Sequence, residues 1–110
     1  MAETGRHQEQ LPVIGAYVRR LKQHRDNRGF FEEIYNKNEE NNVRKGPARW
    51  EQVSVSTSGP DVLRGIHISA YGKLVTCTQG TMHDYVIDMR EDSATYLQWC
   101  HVLLTAAGAE

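Results

Sequence analysis

At 110 residues, a quarter of them charged, the chain has the length of one domain with a modest core. A net charge of -1 and a pI near 6.5 provide no global field toward nucleic acid or an anionic membrane. Apolar runs are only a few residues long, far short of a membrane span, and Met1 to Gln10 is polar without the apolar stretch of a secretory signal. The expected address is the cytoplasm.

Taken in chain order, residues 1–16 read as a polar N-terminal segment, and Tyr17 to Lys22 is the first expected strand. Asp26-Asn27-Arg28-Gly29 has turn chemistry, since Asn and Gly tolerate positive φ, and Phe30 to Tyr35 returns as a second strand. Asn36 to Pro47 is polar and aperiodic, which predicts a loop. From Trp50 to Ser56 the chain alternates, placing Trp50, Gln52, Ser54 and Ser56 on one face and Val53 and Val55 on the other. After a turn at Ser58-Gly59-Pro60-Asp61, strands are expected at Val62 to Ile68, Lys73 to Thr78 and Met82 to Met89, with turns at Gln79-Gly80 and Arg90 to Ser93. Tyr96 to Leu104 is the last strand and 106–110 a short tail. About seven or eight short strands and no helix predict an all-β sandwich or barrel, one domain over 17–105. Cys77 and Cys100 lie in separate apolar runs without CxxC spacing and read as reduced core thiols.

The chemistry concentrates in Arg64-Gly65-Ile66-His67 and, six residues on, Lys73-Leu74-Val75. A cationic pocket with one titratable imidazole can hold an anion, or remove a proton from carbon beside a carbonyl whose oxygen becomes negative. Arg64 and His67 are three apart, so a regular strand points them to opposite faces. For both to enter one pocket, Gly65 should sit at an irregularity that resets the alternation; otherwise Arg64 is a solvated outward charge.

The ordered series Asp26-x-Arg28-Gly29-Phe30-Phe31-x-Glu33, Gln52-x-x-x-Ser56-x-Ser58, Val62-Leu63-Arg64-Gly65-Ile66-His67, Lys73-Leu74-Val75, Asp84-x-x-x-Asp88-Met89-Arg90 and Ser93-x-Thr95-Tyr96-x-x-Trp99 resembles the dTDP-4-dehydrorhamnose 3,5-epimerase family, from about Tyr17 to Leu104. The resemblance implies a cupin-like jelly roll, a homodimer, a dTDP-linked or other nucleotide-linked keto-sugar substrate and no cofactor. It implies that His67 is the catalytic base and that Lys73 lies near the sugar keto oxygen. Arg28 and Arg64 are implied to grip the nucleotide diphosphate and sugar, Arg28 for a neighbouring subunit, while Phe31, Glu33 and Gln52 line the pocket. Ser54 stands where the family commonly has Asn. The loop from His67 to Lys73 is shorter than the usual form. Further strands that the family carries after Leu104, with its tyrosine acid and the acidic partner of the base, have no matching position here. A truncated, inactive relative that only binds a nucleotide sugar or a partner chain is therefore the alternative expectation.

Each assignment has a plainer counterpart. Without the resemblance, His67 reads best as a satisfied core histidine. Arg28 and Glu33 read as a solvated turn and strand edge. The polar face of 50–56 suits either a ligand-lined interior or solvent, with Trp50 favouring the interior. Cupin metal sites use a His-x-His pair with a nearby Glu; Ile68-Ser69 follows His67, and His83 and His101 sit on separate expected strands without chelate spacing, so no metal is expected. Asp84 and Asp88 read as hydrogen-bonding strand-end and turn residues rather than a catalytic pair.

Overall fold

The computed structural model describes residues 7–38 and 50–106. Six strands are present among them: β1 (His7–Gln10), β2 (Tyr17–Arg20), β3 (His24–Asp26), β4 (Gly29–Phe31), β5 (Thr81–Ile87) and β6 (Trp99–Thr105). They form three antiparallel ribbons, β1–β2, β3–β4 and β5–β6. The chain divides into two compact units, one of Met1–Ile34 and Lys73–Glu110, the other of Tyr35–Gly72. All three ribbons belong to the first unit.

The expected turn at Asp26 to Gly29 is a two-residue hairpin loop. Asp26 and Gly29 are register partners, and Asn27-Arg28 crosses between them. Asp26 Oδ1 accepts the backbone N–H of Arg28 at 2.8 Å, the local side-chain bond that favours Asp at this position. Gly29 takes φ +137°, outside the range most side chains accept. Two strands lie where none was expected. His7–Gln10 pairs with β2 from within the polar N-terminal segment, and His24–Asp26 pairs with β4. Both are polar throughout, so no hydrophobic alternation marks them; their pairing rests on backbone hydrogen bonds.

β5 and β6 form the longest ribbon, with register from Thr81↔Thr105 to Ile87↔Trp99. The last strand begins at Trp99 rather than Tyr96, because Leu97 takes φ +67° and the chain from Arg90 to Gln98 is a succession of tight turns. The expected strands at Trp50–Ser56, Val62–Ile68 and Lys73–Thr78 pair with no other described strand. Val53 and Leu63 are 90% and 94% exposed, so these β-prone segments have the composition of strands without a neighbour to cover them. Most of the expected loop at 36–47 lies outside the described residues; at its start, Asn36 Oδ1 caps the backbone N–H of Asn38 at 2.9 Å. Cys77 and Cys100 are unpaired and half-buried.

Among the described residues only Val13 and Asp88 are buried, at 4% and 2% exposure. Asp88 can be buried because its carboxylate is fully partnered. Arg90 donates from Nε to Oδ1 and from Nη2 to Oδ2, both at 2.9 Å, while the hydroxyls of Ser93 and Thr95 donate to Oδ2 at 2.6 and 2.5 Å. The same groups reach the β1–β2 connection. Arg90 Nη2 donates to the carbonyl of Ile14 at 2.7 Å, and Thr95 Oγ1 accepts the N–H of Ile14 at 3.2 Å. Thus the motif Asp88-Met89-Arg90 with Ser93-x-Thr95 ties the N-terminal hairpin to the β5–β6 ribbon. The Arg90 side chain, followed by the Ser93 and Thr95 hydroxyls, holds the Asp88 carboxyl far below the usual carboxylate range.

Two outcomes follow for stability. Val13→Ala, which removes two buried methyl equivalents, should cost about 2 kcal/mol in urea unfolding. For Asp88 the ordinary value is 3.8, and the folded state holds it much lower. The unfolded chain therefore binds more protons across that interval, so the contribution is complete above about pH 5 and lost as pH falls through the folded value. Asp88→Asn should lower the urea midpoint at neutral pH and flatten its decline below about pH 4. An unchanged acid limb would show that this carboxylate does not set it.

Candidate active site

In the second unit, Arg64 is held by the turn that precedes it. Its Nε donates to Ser58 Oγ at 2.8 Å, and Nη2 donates to the carbonyl of Thr57 at 3.3 Å. These bonds use two of the five N–H groups of a guanidinium and leave three for other partners. Ser58 is thus a positioning partner for Arg64. Its place in Gln52-x-x-x-Ser56-x-Ser58 was the only sequence signal of this, and the turn reading obscured it.

Gly65 takes φ +129°, and the Gly65–Ile66 peptide is cis. No strand forms over Val62–Ile68 among the described residues, so strand parity does not set the relative directions of Arg64 and His67. A Cβ at Gly65 would meet nothing closer than the backbone nitrogen of His67 at 3.7 Å, so it is φ, rather than crowding, that favours glycine. His67 itself is exposed.

The alternation read for 50–56 is visible in one contact: Gln52 Nε2 donates to Ser54 Oγ at 3.0 Å, so the two share a face. Both are exposed, as are Val53 and Val55 on the opposite side. Trp50 packs edge-on against Tyr35, with ring centroids 6.2 Å apart and planes at 87°.

The remaining candidates belong to the first unit. Arg28 folds back on its own hairpin, donating from Nη2 to Asp26 Oδ2 at 2.6 Å and from Nε to the same oxygen at 3.2 Å. Its side chain is 87% exposed, so this fork is a surface pair. Beside it, the Arg25 guanidinium lies 5.0 Å from the centroid of Phe30, and Phe31 meets the His24 ring at 6.2 Å. Glu33 and Lys73 are exposed, each with an interaction partner. Within its unit each candidate is therefore placed, and the structure directly joins Gln52 to Ser54.

The carboxyl of Asp26 is held below its ordinary 3.8, first by the Arg28 side chain and then by the Arg28 backbone N–H. Titration followed by NMR should find Asp26 below 3.8 and should show it rising in Arg28→Gln. No rise would mean that the side-chain fork is not formed in solution.

Against known proteins, the dTDP-4-dehydrorhamnose 3,5-epimerase family model matches residues 10–110. The chain is 38% identical over 85 residues to dTDP-4-dehydrorhamnose 3,5-epimerase of Escherichia coli, covering 74% of this chain and 46% of that protein. It is 35% identical over 99 residues to the enzyme of the same name from Mycobacterium tuberculosis, covering 86% and 49%. The chain spans about half the length of the relatives it matches. Among solved structures, the Bacillus anthracis dTDP-4-dehydrorhamnose 3,5-epimerase with TDP and PPi bound superposes with a TM-score of 0.82 at 28% identity, over 94% of this chain and 62% of that one. NovW, a 4-keto-6-deoxy sugar epimerase of Streptomyces spheroides, gives 0.82 at 26% identity, over 97% and 56%. The expected all-β, cupin-like class is thereby established, with this chain aligning to part of each neighbour. The chain belongs to the dTDP-4-dehydrorhamnose 3,5-epimerase family.

Proposed function

We propose that this chain is a nucleotide-sugar epimerase of the dTDP-4-dehydrorhamnose 3,5-epimerase type, acting as a cytoplasmic homodimer on a dTDP-linked 4-keto-6-deoxy sugar. The observation that carries the reading is the family match over residues 10–110, which includes both Arg64-Gly65-Ile66-His67 and Lys73-Leu74-Val75. The named activity of NovW supports the sugar class, and the TDP bound by the Bacillus anthracis protein supports the nucleotide. No helix among the described residues is long and apolar enough to cross a membrane.

In this reading His67 accepts a proton from a sugar carbon beside the C4 ketone. The C–H electron pair moves into a carbon–carbon double bond, and the carbonyl electrons move onto its oxygen. Lys73 and Arg64 stabilise that oxyanion, Arg64 through donors left over from Ser58 and Thr57. Delivery of a proton to the opposite face of the carbon inverts it and restores the ketone. The ketone is itself the electron sink, so the step asks for no cofactor. Arg28 exchanges its surface pair with Asp26 for bidentate contact with diphosphate oxygens, while Phe31, Glu33, Gln52 and Ser54 line the nucleotide and sugar pocket.

Incubation with a dTDP-4-keto-6-deoxy sugar in D2O tests this directly. Deuterium should enter at C3 or C5, and His67→Asn should abolish its entry. Lys73→Ala should slow it by about 10²–10³-fold, the scale of a lost oxyanion donor. Ligand-induced thermal stabilisation without any exchange would replace the catalytic reading with that of a nucleotide-sugar binding protein.

A further inference from the structure

The exposed face of the β5–β6 ribbon carries an unbroken row of rings. Trp99 meets Tyr85 at a centroid distance of 5.9 Å, Tyr85 meets His101 at 4.9 Å, and His101 meets His83 at 4.9 Å. The register explains how the row ends in two imidazoles. His101 lies opposite Tyr85 and His83 opposite Leu103, so the histidines are diagonal neighbours on one face of a twisted ribbon. His83 Nδ1 and His101 Nε2 stand 2.7 Å apart, with ring planes inclined by 16°. At that separation one nitrogen carries a hydrogen and the other presents its lone pair. Both side chains are exposed, on the longest ladder among the described residues.

We propose that His83 and His101 form a two-nitrogen chelate for a borderline divalent ion, Cu²⁺ or Ni²⁺ in preference to Zn²⁺. Imidazole suits all three ions, so geometry discriminates between them. With metal–nitrogen bonds of about 2.05 Å, two cis ligands of a tetragonal or octahedral ion lie about 2.9 Å apart, and two ligands of a tetrahedral ion about 3.3 Å apart. From 2.7 Å, the tetragonal arrangement asks the rings to separate by only about 0.2 Å. The larger change is one of direction. Each lone pair must turn from its neighbour toward a common point off the sheet face, a rotation about χ2 that the broad histidine torsion permits.

The hydrogen between the rings leaves its nitrogen, and the same ring takes one up at its other nitrogen. The net proton count is unchanged, and both contact nitrogens are then free to bind the ion. Water fills the remaining positions, because no group of three or more His, Cys, Asp or Glu gathers among the described residues. The site is accordingly an exchangeable one. It uses none of the residues assigned to epimerisation.

The test is calorimetric titration of the chelator-treated full chain with NiCl2, CuCl2 and ZnCl2. One site per chain is expected, with Zn²⁺ weakest, and His83→Asn or His101→Asn should each weaken Ni²⁺ binding by about tenfold or more. His24→Asn, elsewhere on the exposed surface, should leave that binding unchanged. Ni²⁺ binding that both substitutions leave intact would overturn the assignment. A second readout needs no variant: sub-stoichiometric Cu²⁺ should broaden the NMR signals of His83, Tyr85 and His101 first, and broadening centred on other residues would equally overturn it.

Discussion

A carboxylate withdrawn from water must find its hydrogen bonds in the protein, and Asp88 finds them in a side-chain cluster that also captures the chain from the far N-terminal end. Arg90 and Thr95 each also bond Ile14, across separations of 76 and 81 residues. With Val13 the only buried apolar side chain among the described residues, this polar knot takes over a role that a larger core would usually fill. Hydrophobic contact is tolerant of direction, whereas a bidentate guanidinium and two hydroxyls accept one geometry. A buried ion pair adds little net stability over a well-packed apolar substitute. What the knot supplies is position: it determines where the N-terminal hairpin sits against the end of the β5–β6 ribbon.

The candidate catalytic residues have a different mechanical setting. Arg64 and His67 sit in a unit whose β-prone segments pair with no other described strand and leave Val53, Val55, Leu63 and Ile66 exposed. Local devices order this region: the Arg64–Ser58 bond, the Gln52–Ser54 bond and the Trp50–Tyr35 contact. Catalytic geometry requires side chains held to a fraction of an ångström by supporting contacts. The described contacts of this unit supply that support locally, from turn and side-chain partners rather than from a paired strand.

The two arginines show how the same side chain is prepared in different ways. Arg64 is buttressed by an uncharged hydroxyl and a carbonyl, which orient it and leave its charge intact. Arg28 is paired with a carboxylate at the surface, which orients the guanidinium and offsets its charge locally. Hairpin chemistry explains why that carboxylate is there: Asp26 is first the side chain that closes the turn and only second a charge.

The order of motifs, the all-β class and the turn at Asp26 to Gly29 were all legible in the amino-acid sequence. Each depends on local chemistry: alternation or turn-forming residues. The strands at His7–Gln10 and His24–Asp26 were not legible, because polar segments that pair only through their backbones leave no hydrophobic period. The converse held at Trp50–Ser56 and Val62–Ile68, where alternation and β-branched residues announced strands but pairing depends on a neighbour that composition does not reveal. Partner choice was likewise tertiary. Arg90 and Thr95 with Ile14, and His83 with His101, are set by register and chain reversal, which act between residues far apart in sequence and leave no trace in the spacing of either one.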